Sequence, residues 1–212
     1  DHLLGGGLSR GSVTLLSGEP GIGKSTLLLH LAVKIREKIL YVEGEETLAQ
    51  IKNRIQRLGI SDQFLLLSRE TNVDELDLSF ATLEANLIFV DSVQNLWDPA
   101  LSQGAGGMAQ LRTSAARLVE AAKREKKTVL ATGHINKLGE VAGPKVIEHL
   151  VDATLLMDRE EGLGEIQDLR VIRPLKNRFG PTDTAGVFLM NEKGLHPYER
   201  SEKPPESGEH VG

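Results

Sequence analysis

The chain has 212 residues, a formal net charge of −5 and no cysteine. This length suits one domain with a well-buried core, and no apolar run is long enough to span a bilayer, so we expect no membrane partner. Without cysteine there are no disulfides and no thiolate metal sites, which fits a cytoplasmic protein. The acidic total does not indicate nucleic-acid binding, so any polyanion site must be local.

Apolar runs rich in β-branched residues alternate with helical patterns through the first two thirds of the chain. We predict strands at 13–16, 39–42, 65–67, 87–90 and 128–132, and helices at 25–37, 47–58, 73–84 and 108–126. Strands that are apolar on both faces and alternate with helices are typical of a parallel sheet covered by helices.

The pattern changes after Asp152. Segments 153–157 and 169–174 predict a hairpin around a polar loop. Segment 185–190 predicts a further strand, followed by a turn at 191–194.

Together these elements predict an α/β fold. Its mainly parallel central sheet is flanked by helices and has antiparallel strands at the C-terminal edge. We expect one domain over residues 1–200. The polar segment 201–212, with its Pro, Glu, Ser and Gly residues, predicts a disordered tail.

Residues 18–25 read GEPGIGKS, a complete match to the phosphate-binding loop (P-loop) pattern G-x-x-x-x-G-K-S/T. They lie between a predicted strand and a predicted helix, where backbone N–H groups and the helix dipole converge on an anion. Lys24 would reach the β- and γ-phosphates and take part in catalysis, and the Ser25 hydroxyl would ligate Mg²⁺. The alternative is a glycine-rich turn with an incidental lysine. We expect a nucleoside triphosphate to contact Gly18, Glu19, Pro20, Gly21, Ile22, Gly23, Lys24, Ser25 and Thr26.

A second phosphate-site element is the apolar run 87–90, which ends in Asp91 and matches the Walker B pattern. A carboxylate at the carboxyl end of a parallel strand beside a P-loop can hold Mg²⁺ through water. Buried strands also end in Asp as a turn or helix cap, so the metal role of Asp91 depends on the P-loop upstream.

Two acids are candidates for the general base that hydrolysis needs. Glu45 and Glu46 follow the strand after the P-loop helix, at the edge where open sheets bind ligands. We prefer Glu45. The alternative is that these acids only begin the next helix, where negative charge suits the dipole.

His134 ends another predicted strand at the same edge and is a candidate sensor of the γ-phosphate. The alternative is a structural role, which is the usual one for a lone histidine.

Several segments resemble the RecA-like ATPase core of the bacterial RadA (Sms) family. They are Leu4-Gly5-Gly6-Gly7-Leu8, Asp91-Ser92-Val93-Gln94, Gly133-His134 and the stretch 141–152; the most specific is Lys176-Asn177-Arg178-Phe179-Gly180, identical to the KNRFG motif of that family. The likeness covers roughly residues 1–195. Members usually also have a four-cysteine zinc finger and a Lon-protease-like domain, and this sequence shows neither.

The resemblance implies an ATP-dependent DNA repair and recombination factor with ATP and Mg²⁺ as cofactors. It implies a hexameric ring that binds single-stranded or branched DNA, drives branch migration and works with the recombinase RecA. It also implies that Glu45 is the catalytic glutamate and that His134 senses the γ-phosphate.

Lys176 and Arg178 lie two residues apart in a predicted strand and therefore share a face. In a head-to-tail ring one subunit's edge meets its neighbour's nucleotide, where cations can neutralise charge on the γ-phosphate as a finger does. The alternative is a solvated basic strand end.

Two loops are candidates for DNA contact. The first, 98–107, leads to Arg112; the second, 136–145, contains Lys137 and Lys145. Repeated around a ring, such lysines would give salt-sensitive backbone binding without sequence readout. The alternative is that both are mobile surface loops with incidental basic residues.

Three functions fit these features to different degrees. The first is a DNA-stimulated ATP hydrolase, with possible helicase or translocase action, that works as a ring. The second is a KaiC-like nucleotide-gated ring whose output is a protein partner. The third, a small-molecule kinase, would need a lid and acceptor-binding residues, which we do not find in the sequence.

Overall fold

The computed structural model describes residues 2–135, 144–160 and 168–198. The predicted tail 201–212 and most of the polar hairpin loop lie outside these residues. The strands are β1 (Val13–Gly18), β2 (Ile39–Glu43), β3 (Leu65–Ser68), β4 (Leu87–Asp91), β5 (Thr128–His134), β6 (Ala153–Glu160), β7 (Leu169–Asn177), β8 (Gly186–Asn191) and β9 (Gly194–Pro197). The helices are α1 (Lys24–Lys34), α2 (Leu48–Arg57), α3 (Val73–Thr82), α4 (Met108–Arg124) and α5 (Pro144–Glu148), with short 3-10 helices at His2–Leu4 and Val93–Asn95.

Within the described residues, the nine strands form one sheet in the order β3-β2-β4-β5-β1-β6-β7-β8-β9. Pairing from β3 to β6 is parallel, and pairing from β6 to β9 is antiparallel. The predicted α/β fold, with antiparallel strands at the C-terminal edge, is therefore confirmed.

Helices cover both faces of the parallel half, because alternate residues of each strand point to opposite sides. Leu15, Val42 and Val90 pack with the apolar faces of α3, α4 and α5. Leu16 and Tyr41 pack with α1 and α2 on the other side. This double burial accounts for the continuous apolar runs of the sequence. Within the described residues, we find no helix with the length and apolar character needed to cross a membrane.

Several element boundaries differ from the sequence prediction by a few residues. Helix α1 ends at Lys34 rather than at residue 37, because Ile35 is extended and the chain must enter β2. The predicted turn at 191–194 is tighter, since Gly194 with φ of 102° already begins β9. Helix α5 was not predicted from the sequence.

Because parallel strands share a direction, the carboxyl ends of β1, β2, β4 and β5 meet at one edge of the sheet, which we call the P-loop edge. Gly18 is level with His134 across β1 and β5, and Glu43 is level with Asp91 across β2 and β4. Gly18, Asp91 and His134, which the sequence singled out, thus lie at one edge of the sheet together with Glu43.

Candidate nucleotide-binding site

The P-loop forms an anion cradle at the start of α1. Gly21 and Gly23 have φ angles of 75° and 118°, left-handed conformations that favour glycine. A Cβ at Gly18 would lie 2.6 Å from the carbonyl oxygen of Met157, so this position also needs glycine. Among the described residues no side chain caps the N-terminus of α1 and its first turn has no acid. The helix end can therefore offer its N–H groups and dipole to a phosphate.

Lys24 is buried inside this loop at 3% exposure. Its Nζ donates to the carbonyl oxygens of Gly18 and Glu19, both at 2.9 Å, and lies 3.1 Å from Nδ1 of His134. In the part of the chain that the structure describes, no carboxylate is hydrogen-bonded to this ammonium. Burial lowers the pKa of Lys24 to about 8, partly offset by the charges of Asp91 and Glu45. An anionic phosphate would supply the missing counter-charge, so the residues fit a nucleotide.

Asp91 and Ser25 carry oxygen atoms that could hold Mg²⁺. Ser25 lies in the first turn of α1, and Asp91 ends β4 at 6% exposure. The Asp91 carboxylate is oriented by two hydroxyls: Thr132 Oγ1 donates to Oδ1 at 2.6 Å, and Tyr41 donates to Oδ2 at 2.9 Å. Hydroxyl and carboxylate oxygens are ligands that Mg²⁺ prefers, and each carboxylate oxygen keeps a second lone pair for a metal-bound water.

The structure separates the two candidate bases. Glu45 is 55% exposed, and its Oε1 lies 3.4 Å from His134 Nε2, 3.3 Å from Asn95 Nδ2 and 3.5 Å from Ser92 Oγ. Glu46 instead forms an ion pair with Arg54 of α2. Glu45 therefore belongs to the group of polar side chains around the P-loop, whereas the Glu46 carboxylate is held by its ion pair with Arg54 of α2.

A third acid, Glu43, supports this segment and was not selected from the sequence. It ends β2 at 3% exposure, and its Oε1 accepts the backbone N–H groups of Glu45 at 2.9 Å and Glu46 at 3.1 Å. Burial raises the pKa of Glu43 to about 7, against the effect of these two hydrogen bonds. The only available signal was its position as the first of three closely spaced acids after an apolar strand.

His134 lies between Lys24 and Glu45 and contacts both. Its Nδ1 faces Lys24 Nζ, and its Nε2 faces Glu45 Oε1. The His134 carbonyl oxygen accepts a hydrogen bond from Gln94 Nε2 at 3.3 Å, which attaches the end of β5 to the segment after β4. The histidine is therefore part of the site geometry.

A second unselected residue, Arg170 of β7, holds the P-loop from across the sheet. It is 2% exposed, its Nε donates to the carbonyl oxygen of Ile22 at 2.8 Å, and its Nη1 bonds Asp168 at 2.7 Å. The signal in the sequence was an arginine directly after Leu169 and before the apolar pair Val171-Ile172, but its partner lies 148 residues away.

Lys176 and Arg178 lie at the opposite end of the sheet from the P-loop. Asn177 between them is level with Ala153, which is level with Thr14 of β1. Four residues of strand separate Thr14 from Gly18, and at about 3.3 Å per residue this is about 13 Å. The sheet thus keeps both cations away from the P-loop of their own chain.

The candidate DNA residues are only partly described. Arg112 is exposed on α4. The loop before α4 is fixed by the buried Gln110, which bonds the main chain of Asp98 at 2.8 and 3.0 Å. Lys137 and the side chain of Lys145 lie outside the described residues.

The strand order, the P-loop after β1 and the aspartate that ends β4, with β5 between these two strands, together define a RecA-like P-loop NTPase fold. The chain belongs to the AAA domain family, whose profile matches residues 1–140. The resemblance to bacterial RadA proteins is also confirmed. The protein named DNA repair protein RadA of Chlamydia pneumoniae is 43% identical over 198 residues, which are 92% of this chain and 43% of that protein. The protein of the same name from Brucella abortus is 40% identical over 222 residues, 97% of this chain and 47% of its own.

The chain spans less than half the length of these relatives. Among solved structures, a KaiC-like protein of Pyrococcus horikoshii matches with a TM-score of 0.75 over 94% of both chains, at 19% identity. That likeness concerns the fold alone.

Proposed function

We propose that this chain is the ATP-hydrolysing core of a ring-forming DNA repair and recombination motor. The observation that supports it most strongly is the contact series Lys24–His134–Glu45, with separations of 3.1 and 3.4 Å beside the P-loop. A phosphate-binding lysine, a sensor and a base are side by side, as γ-phosphate hydrolysis requires. The names of the RadA relatives supply the link to DNA repair.

Within one subunit the roles divide by chemistry. Lys24 and the N–H groups of α1 bind the β- and γ-phosphates, and Ser25 with Asp91 hold Mg²⁺, which neutralises phosphate charge when bound. Glu45 orients and deprotonates the attacking water, because its carboxylate is exposed and is not taken up by an ion pair with a helix. His134 reports the presence of the γ-phosphate.

The second half of the site comes from the next subunit. Lys176 and Arg178 cannot reach their own P-loop, but a head-to-tail ring brings this end of one sheet against the P-loop edge of another. Leu175, just before the motif, and Phe179 within it are 53% and 48% exposed, and this apolar surface would be covered by the neighbour. The two cations then stabilise charge on the transferring phosphoryl group.

The ring is hexameric in this proposal and binds single-stranded or branched DNA in its central hole. Arg112, Lys137 and Lys145 contact the phosphate backbone, and nucleotide state controls their position. Branch migration alongside RecA is the process that such a motor would drive.

ATP turnover with and without a single-stranded oligonucleotide at low salt tests the proposal. We expect DNA to stimulate turnover, and Lys24→Ala to abolish both binding and turnover. Unchanged turnover with DNA would contradict the motor function.

The trans arrangement is tested by mixing Lys24→Ala and Arg178→Ala proteins. Each is inactive alone, yet random rings pair an intact P-loop with an intact finger at about a quarter of interfaces, so activity should return. No recovery, with mixing verified by light scattering, would contradict the shared site. Rings that assemble with ATP but shift no oligonucleotide in a gel would favour the KaiC-like alternative with a protein partner.

A further inference from the structure

Asp152 is a buried carboxylate at the end of the sheet opposite the P-loop. It immediately precedes β6 and is 5% exposed. Its backbone N–H donates to the carbonyl oxygen of Val13 at 2.8 Å, and its Oδ2 accepts the N–H of Val13 at 3.0 Å. These two hydrogen bonds join the residue rigidly to the first residue of β1.

The other oxygen of this carboxylate binds cations. Arg178 Nη1 donates to Asp152 Oδ1 at 3.1 Å, and Lys123 Nζ of α4 lies 3.3 Å from the same oxygen. The backbone N–H of Arg178 also donates to the Asp152 carbonyl oxygen at 3.1 Å. Arg178 is thus attached to Asp152 through both its main chain and its side chain.

The turn that contains Arg178 is fixed on its other side as well. Asn177 Oδ1 accepts the N–H of Phe179 at 3.0 Å. A Cβ added to Gly180 would lie 3.1 Å from the Cα of Gly5, so the KNRFG turn packs closely on the glycine-rich segment at the start of the chain. Lys176 Nζ donates to the carbonyl oxygens of Glu148 and Val151, at 2.8 and 2.6 Å.

The Arg178 side chain is nevertheless 52% exposed. A guanidinium has five N–H donors in a planar fork, and Asp152 takes one of them from Nη1. Among the described residues Asp152 is the one side-chain partner found for this guanidinium, so its remaining donors can serve an anion from outside the subunit. An arginine that binds a carboxylate on one side and a phosphate on the other is held in a single orientation.

We propose that Asp152 is a positioning residue for the arginine finger, holding Arg178 in the orientation in which it meets the phosphate of the neighbouring subunit. The inference rests on the proposed trans site. Without the carboxylate, the Arg178 side chain would sample several rotamers. Because it would have to be ordered at each turnover, kcat would fall while the affinity for the nucleotide would not change.

Complementation tests the inference, because a finger defect and a P-loop defect lie in different subunits of one interface. Asp152→Asn keeps an oxygen for Val13 and removes the charge. Alone, we expect kcat to fall about ten- to a hundredfold with the ATP dissociation constant unchanged within about threefold. Mixed with Lys24→Ala, it should regain activity, because its own P-loop is intact and the Lys24→Ala subunit supplies a wild-type finger. Mixed with Arg178→Ala it should regain none.

A purely structural defect gives a different pattern. If Asp152→Asn distorted β1, its own P-loop would fail and Lys24→Ala subunits would not rescue it; that result would overturn the inference. The mixture of Lys24→Ala and Arg178→Ala proteins serves as the reference. If this reference mixture regains no activity, the trans site itself is rejected. If it regains activity but the mixture of Asp152→Asn and Lys24→Ala does not, only the role of Asp152 is rejected.

Two further variants complete the design. Lys123→Met removes the other cation from Asp152 Oδ1 and should leave kcat within about threefold, since the Arg178 contact remains. Should Asp152→Asn not fold, Asp152→Glu retains the charge but displaces the carboxylate by one methylene. It should show the same complementation pattern with a smaller loss of kcat, and wild-type kcat in the folded Asp152→Glu protein would contradict the inference.

Discussion

Lys24 Nζ lies 3.1 Å from Nδ1 of His134, so the P-loop lysine and the end of β5 are in direct contact. Lys24 begins α1 and His134 ends β5, and both lie at the P-loop edge. A phosphate that binds Lys24 therefore arrives beside His134 and, through it, beside Glu45.

The lowered pKa of Lys24 predicts proton uptake on nucleotide binding. Burial holds the pKa at about 8 in the free protein, and the phosphate charge would raise it. At pH 9, binding ATP should thus take up close to one proton, and at pH 6.5 Lys24 should contribute none. Titration calorimetry in buffers of different ionisation enthalpy measures this uptake. An uptake that is the same at pH 6.5 and at pH 9 would assign the proton to another group.

Replacing Glu45 should lower kcat much more than replacing Glu46. Replacing a general base by its amide removes about 10²- to 10⁴-fold in rate, and we expect Glu45→Gln to lower kcat by at least a hundredfold. Glu46→Gln loses only a partly exposed ion pair with Arg54 and should stay within about tenfold. Steady-state phosphate release measures kcat, with fluorescent-nucleotide binding as control. The reverse order of effects would assign the base to Glu46.

Most of the fold and part of the site could be predicted from the sequence, because both depend on local patterns. Apolar runs placed the strands, and an acid or histidine just after a strand must lie at the carboxyl edge, as Glu45 and His134 do. The roles of Glu43 and Arg170 could not be predicted in this way. The Glu43 side chain accepts hydrogen bonds from the backbone of the turn that follows it, and this contact depends on the conformation of that turn. Arg170 contacts Ile22 because the pairing of β6 with β7 brings two segments together that are far apart in the sequence.

Arg112 should contribute to DNA affinity through charge alone. Each phosphate contact to single-stranded DNA contributes about −0.7 to the slope of log binding constant against log salt. Arg112→Ala should therefore weaken binding equally for oligonucleotides of different sequence and make the slope less negative by about that amount. Fluorescence anisotropy at several salt concentrations measures both quantities, and Arg57→Ala on α2 serves as a matched loss of charge. An unchanged slope for Arg112→Ala would remove Arg112 from the DNA surface.

Arg170 should affect nucleotide affinity through the shape of the P-loop. Its guanidinium holds the Ile22 carbonyl oxygen, and Arg170→Met would remove that bond while roughly keeping the volume. A buried, charge-assisted hydrogen bond contributes about 1.5–3 kcal/mol, so the dissociation constant of ATP should rise about tenfold or more. Arg159→Met removes an exposed arginine of β6 and serves as control. Equal affinity of the Arg170→Met and wild-type proteins would show that the P-loop holds its shape without this contact.

Glu43 should make the stability of the nucleotide-free protein fall with rising pH. Burial raises the pKa of Glu43 from 4.5 to about 7, so the folded protein keeps a proton that the unfolded chain has already lost. The resulting contribution is full below pH 4.5, declines as the pH rises and is gone above pH 7; at about 1.4 kcal/mol per pKa unit it amounts to about 3 kcal/mol. Glu43→Gln keeps an acceptor for the N–H groups of Glu45 and Glu46 without the charge. Urea unfolding between pH 4.5 and 7.5 should show that the stability of this variant lacks the decline due to Glu43. Its free energy of unfolding should therefore increase relative to that of the wild type as the pH rises. Parallel pH profiles for the two proteins would mean that Glu43 ionises normally in the folded state.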